Sequence, residues 1–169
     1  LLASDVMTKE VTTISLDKTV EDLIHLLRVS HFTGVPVVNA DGKAVGLVSE
    51  TDILRALAYT INPPGSSDQI SIEDDGRERG ATTRLLRPPN VPGFEQAMGA
   101  LIKRQVREVM TPVLHACRPG DSLAKVCDKM GWKAVHRIVV TDEDGKVVGL
   151  ISALDAARRF GELLKEQDA

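Results

Sequence analysis

Apolar residues recur along this chain in two rhythms. Val20, Leu23, Ile24 and Leu27 stand three and four apart, which predicts a helix over residues 19–30 with one buried face. Gly34–Asn39 and Ala44–Ser49 are short apolar runs with Ala-Asp-Gly-Lys between them. Asp-Gly between two such runs predicts a hairpin, because glycine accepts a positive φ without a Cβ penalty. After the second run comes the polar tetrad Ser49-Glu50-Thr51-Asp52, then a closing helical pattern over Thr51–Tyr59. A short extended segment, Val11–Ser15, precedes the first helix. The order is β-α-β-β-α.

The same order returns further on. Shifting the chain by 103 residues lays 6–57 on 109–160 without a gap, with 13 of 52 positions identical. The identities include Val6-Met7-Thr8, Asp41-Gly42-Lys43, Val45-Gly46-Leu47, Ser49 and Asp52. A duplicated unit follows from keeping these motifs in one register. In the second copy Val113–Cys117 is extended, and Leu123, Val126, Cys127 and Met130 mark the helix. Ile138–Asp142 and Val147–Ser152 are the strands, and Leu154–Lys165 closes the unit. One unit of about 50 residues buries its sheet poorly alone. The predicted fold class is therefore α/β (α+β): two β-α-β-β-α repeats packed sheet to sheet as a pseudo-twofold pair. The repeats span 1–59 and 106–169. The long insert between them, 60–105, begins loop-like around Pro63, Pro64 and Gly65. Helical spacing resumes over Phe94–Gln105, either as a decorated linker or as a helix that packs on the pair or on a neighbouring subunit.

Composition narrows the picture. The 169 residues are 43% hydrophobic and carry a net charge of −3. No broad basic surface points to nucleic acid or an anionic membrane. No apolar run approaches the roughly 20 residues that span a bilayer, and no signal peptide is visible. The chain opens on Leu1 rather than Met, which leaves room for preceding sequence. Cys117 and Cys127 form neither a disulfide framework nor a CxxC pair, so both are expected as small core residues in a reducing cytoplasm.

The candidate chemistry sits in the tetrads Ser49–Asp52 and Ser152–Asp155. A strand that ends in serine and enters a helix presents a capping oxygen and unpaired backbone N–H groups. As a cap, the tetrad needs no ligand. The same N–H groups, with the hydroxyls of Ser49 and Thr51, can receive a phosphate oxygen. Asp52 would repel a phosphate, yet its carboxylate can accept hydrogen bonds from both hydroxyls of a ribose. The two roles are compatible. In the second tetrad Leu154 replaces Thr51, so one hydroxyl is lost. Elsewhere, His115 and Cys117 share a strand face without further ligands, and packing is the expected role. Asp41 and Asp144 are turn formers, and Lys103, Arg104 and Arg107 form a solvated basic face.

GVPVVNADGKAVGLVSETDIL and HRIVVTDEDGKVVGLISALDAARR, with the two VMT motifs, resemble tandem CBS domains, the Bateman module. The second repeat is similar to a repeat of the γ regulatory subunit of AMP-activated kinase. The resemblance implies a regulatory, non-enzymatic module that binds an adenosine-containing ligand (AMP, ADP, ATP or S-adenosylmethionine), needs no other cofactor, and assembles as a homodimer. Any effector protein would be acted on in trans. It assigns Asp52 and Asp155 to ribose and Ser49, Thr51, Ser152, His136 and Arg137 to phosphate. The adenine pockets would draw on Leu23, Phe32, Thr33, Leu47, Val126, Val135 and Leu150. Each pocket takes residues from the other repeat. Val126, Val135 and His136 would join Asp52, with Asp121 near the rim. Leu23, Phe32 and Thr33 would join Asp155, with Lys18 near the rim. Because His136 and Arg137 supply the local positive charge, the Asp52 pocket is expected to be the better site. The alternative is a structural or dimerisation module whose tetrads are only caps.

Overall fold

The computed structural model describes residues 1–61, 93–112 and 115–167. The loop-like part of the insert around Pro63–Gly65 lies outside the described residues, as do Val113 and Leu114 of the expected second extended segment. The first repeat contains α1 (Ala3–Val6), β1 (Ile14–Ser15), α2 (Val20–Ser30), β2 (Gly34–Val38), β3 (Ala44–Ser49) and α3 (Glu50–Ile61). The end of the insert carries α4 (Phe94–Leu101), followed by a 3-10 turn, Val106–Glu108. The second repeat has β4 (Ala116–Cys117), α5 (Leu123–Lys133), β5 (Arg137–Thr141), β6 (Val147–Ser152) and α6 (Ala153–Gln167). Two three-stranded sheets result, in the orders β1-β2-β3 and β4-β5-β6. In each, the short first strand runs parallel to the second.

The duplication reaches into local detail. Thr19 caps α2 by accepting from Asp22 N–H, and Ser122 caps α5 by accepting from Lys125 N–H. Both helices end in a left-handed residue, His31 at φ 55° and Ala134 at φ 51°. Gly42 and Gly145, at φ 75° and 83°, turn the two hairpins as the Asp-Gly motif predicts. The side chains that tie these turns are Asn39 and Asp142 rather than Asp41 and Asp144. Asn39 Oδ1 accepts from Lys43 N–H at 2.9 Å, and Asp142 Oδ1 from Lys146 N–H at 2.8 Å.

Contacts divide the chain into two compact units that cut across the repeats. The first comprises Leu1–Ser15, Val35–Leu47 and Pro112–Ala169. Its core gathers Ala3, Cys117, Val126, Met130, Ile138, Val140 and Ile151. The N-terminus is tied into it: Ala3 N–H donates to Asp121 O, Leu123 N–H to Leu1 O, and Thr8 and Leu150 exchange both backbone bonds. The second unit comprises Leu16–Gly34 and Val48–Thr111. Here α4 packs on α3, and the chain beyond it zips onto the start of α2. Val20 N–H donates to Arg104 O, and Val106 N–H to Lys18 O. Helix α4 therefore stops at Leu101, short of the expected Gln105, because Gln105 pairs as an extended residue with Thr19. The insert's end is thus part of a packed unit rather than a linker. Two of the three residues of the basic cluster are paired as well: Arg104 with Glu108, and Arg107 with Asp17.

One core expectation fails. Cys127 is exposed, whereas Cys117 is buried. The buried stripe of α5 runs through Val126 and Met130, and Cys127 lies about 100° around the helix from Val126. Burial raises the Cys117 thiol to about 11, with Asp121 adding to the rise and Lys129 opposing it. A thiol so raised is not a nucleophile near neutral pH. A disulfide-exchange reagent at pH 8 should therefore titrate one thiol per folded chain, lost in Cys127→Ser, and a second only after denaturation. Two fast thiols in the native protein would contradict this placement.

Candidate functional site

Each tetrad sits where a buried strand gives way to a helix, β3 into α3 and β6 into α6. Strand alternation buries Val48 and Ile151 and brings the next residue, Ser49 or Ser152, to the sheet's end. The first helical N–H is spent on the preceding crossover: Glu50 N–H donates to Thr33 O, and Ala153 N–H to His136 O.

The two carboxylates are held differently. Asp52 is 8% exposed. Its Oδ2 accepts from Ser49 N–H at 2.8 Å and Ser49 Oγ at 2.7 Å. Its Oδ1 accepts from Thr111 Oγ1 at 3.0 Å and from the Arg55 guanidinium at 3.3 Å. Asp155 Oδ2 accepts from Ser152 N–H at 2.9 Å and Oγ at 2.6 Å, and Asp155 N–H donates back to Ser152 Oγ, closing a capping box. Among the described residues, Asp155 Oδ1 has no donor. In both repeats the carboxylate accepts from the serine before the helix, but of the two serines it is Ser152 whose hydroxyl accepts a helix N–H, so the expected cap is complete in the second tetrad and half-made in the first.

This geometry bears on the phosphate assignments. A serine hydroxyl carries one proton, and Ser49 and Ser152 both give theirs to the carboxylate three residues on. Thr51 is exposed, and its hydroxyl has no partner among the described residues. The matching Leu154 is 68% exposed. His136 is exposed and Arg137 half-buried, both where β5 begins. Of the expected adenine-pocket residues, Leu23 and Val126 are fully buried in their units' interiors. Leu47, Leu150 and Val135 are half-buried, Thr33 is exposed, and Phe32 is 43% exposed. Asp121 Oδ2 accepts from Arg118 N–H. Thr111 on Asp52 was not anticipated. The shared VMT motif marked the residue, but a partner 59 positions away leaves no periodic signal.

A duplicated β-α-β-β-α chain with a Ser-x-x-Asp tetrad at each strand-to-helix junction defines a class of paired α/β modules. The CBS-domain profile matches residues 3–59 and 106–162, two segments offset by the same 103 residues. This chain belongs to the CBS-domain family. It is 26% identical over 160 residues to the protein MJ1426 of Methanocaldococcus jannaschii, covering 92% of this chain and 88% of that one. Two solved structures share its fold. CBSX2 in complex with AMP aligns with a TM-score of 0.66 at 20% identity, covering 96% of this chain and 97% of that chain. The CBS domain pair of MJ0100, in complex with 5′-methylthioadenosine and S-adenosyl-L-methionine, aligns at 0.64 and 18%, with the same coverages. Among the described residues no helix is long and apolar enough to cross a membrane.

Proposed function

We propose that this chain is a regulatory module that binds an adenosine-containing ligand at its Ser-x-x-Asp tetrads. The observation that carries the proposal is the carboxylate of Asp155. It is locked in orientation by Ser152 and still has an acceptor oxygen without a donor among the described residues, suited to a ribose hydroxyl. The ligands named for CBSX2 and MJ0100 share adenine and a ribose, and the phosphate of AMP is absent from the other two. Recognition through the ribose suits that spread. In this proposal Asp52 and Asp155 take the ribose. Thr51, free of internal bonds among the described residues, and, in the other unit, His136 and Arg137 are each assigned to phosphate, while Ser49 and Ser152 orient the carboxylates. Phe32, Thr33, Leu47, Val135 and Leu150 supply adenine contacts, and Leu23 and Val126 support them from beneath. Any response to the ligand requires different affinity for two arrangements of the chain, transmitted to an effector in trans in the cytoplasm.

AMP, ADP, ATP and S-adenosylmethionine should each be tested for thermal stabilisation. At a hundredfold excess over Kd, a true ligand adds about 2.7 kcal/mol, a rise of roughly 5–10 °C for a chain of this size. No shift with any of the four at millimolar concentration would refute the proposal. Homodimerisation is part of it: α5 and α6 pack together and leave Trp132 (88% exposed) and Phe160 uncovered. Sedimentation should give twice the chain mass, and Trp132→Glu should halve it. A monomeric wild type would remove this part.

A further inference from the structure

Both oxygens of the Asp52 carboxylate are already occupied. A carboxylate offers about four lone-pair positions, and Ser49 N–H, Ser49 Oγ, Thr111 Oγ1 and Arg55 use them all. The Ser49 pair is local and belongs to the helix cap, so the yielding side is Oδ1. There Arg55 sits at 3.3 Å with its side chain 55% exposed, and Thr111 at 3.0 Å provides the shorter bond. Thr8, which matches Thr111 in the duplication, gives its hydroxyl to no carboxylate among the described residues. Asp155 Oδ1 correspondingly has no donor among the described residues. The asymmetry between the tetrads is thus one hydroxyl and one guanidinium.

We infer that Thr111 is the affinity-setting residue of the Asp52 site, an internal competitor whose hydroxyl holds the position a ribose hydroxyl would take. This rests on the proposed function. A ligand at Asp52 must first break the Thr111 bond, and a bond to a charged acceptor is among the stronger ones. The Asp155 site carries no such charge against binding. The two sites therefore rank in the order Asp155 before Asp52, the reverse of the expectation from Thr51 and His136 alone. Binding at Asp52 also releases the hydroxyl of Thr111, the last residue of the second VMT motif, which gives occupancy a physical consequence in the chain.

The test is calorimetric titration of AMP into wild type, Thr111→Val, Thr111→Ser and Thr111→Val/Asp52→Ala. The weaker site should tighten about tenfold in Thr111→Val and remain as in wild type in Thr111→Ser, which keeps the hydroxyl. Adding Asp52→Ala should abolish the gain. If Thr111→Val does not fold, Thr111→Ala makes the same deletion without demanding space for a second methyl. Unchanged or weaker binding in the hydroxyl-free variants, with wild type binding AMP, overturns the competitor role and leaves the proposed function standing. No binding of AMP by any of the four proteins overturns both.

Discussion

Asp52→Ala is expected to cost the folded chain about 2–4 kcal/mol without any ligand, and Asp155→Ala only about 1–2 kcal/mol. The difference follows from what each deletion strands. At Asp155 the loss is a cap: Ser152 N–H and its hydroxyl lose one acceptor at a half-buried helix start. At Asp52 the same cap is lost, and Thr111 Oγ1 and the Arg55 guanidinium lose their shared acceptor too. Asp52 is among the few buried polar side chains described, and stranded partners around such a group cost more than the net worth of each bond. Urea unfolding monitored by circular dichroism would measure both. Equal losses would mean that the Thr111 and Arg55 bonds contribute nothing to the fold.

The second large effect concerns space behind the first tetrad. A Cβ on Gly34 would lie 2.9 Å from Val48 O and 3.0 Å from Ser49 Cβ, both fixed by strand β3. Backbone cannot swing aside as a long side chain does. Gly34→Ala should therefore lose about 1–3 kcal/mol and displace Ser49 from Asp52. Arg137 stands at the matching position of the second repeat, so glycine here answers to the first repeat's packing rather than to the repeat pattern. Gly99→Ala is the control, since Gly99 lies inside α4 with nothing within 4 Å of a new Cβ. It should gain about 0.5–1 kcal/mol from helix propensity. A neutral Gly34→Ala, measured beside that control, would show that β3 yields locally.

These expectations show how unevenly the sequence discloses the molecule. Helices and hairpins were legible because periodic burial and Asp-Gly turns are local signals, and the offset of 103 carried one repeat's elements onto the other. The start of each repeat was not. Ala3–Val6 and the turn Val106–Glu108 are too short for periodicity, although they match in the duplication and in each an acid accepts from the backbone N–H three residues before it, Asp5 from Leu2 and Glu108 from Gln105. Their identity signal begins only at Val6 and Val109. The docking of the insert's end leaves no local signal, because its bonds to the start of α2 join backbone atoms distant in sequence. At the site, Ser-x-x-Asp identified the cap and the carboxylate. It did not reveal that the serine proton is spent on the aspartate, nor that Thr111 occupies the remaining oxygen. Side-chain accounting of that kind needs coordinates.

Equilibrium dialysis of labelled AMP against wild type and Asp52→Ala/Asp155→Ala reads nucleotide binding at the two tetrads. Wild type should bind AMP saturably, approaching two per chain in two steps of unequal affinity, and the double variant should lose this binding, with its folding checked by circular dichroism. Absence of saturable binding to wild type at millimolar AMP, or binding undiminished in a folded double variant, would contradict the proposed function.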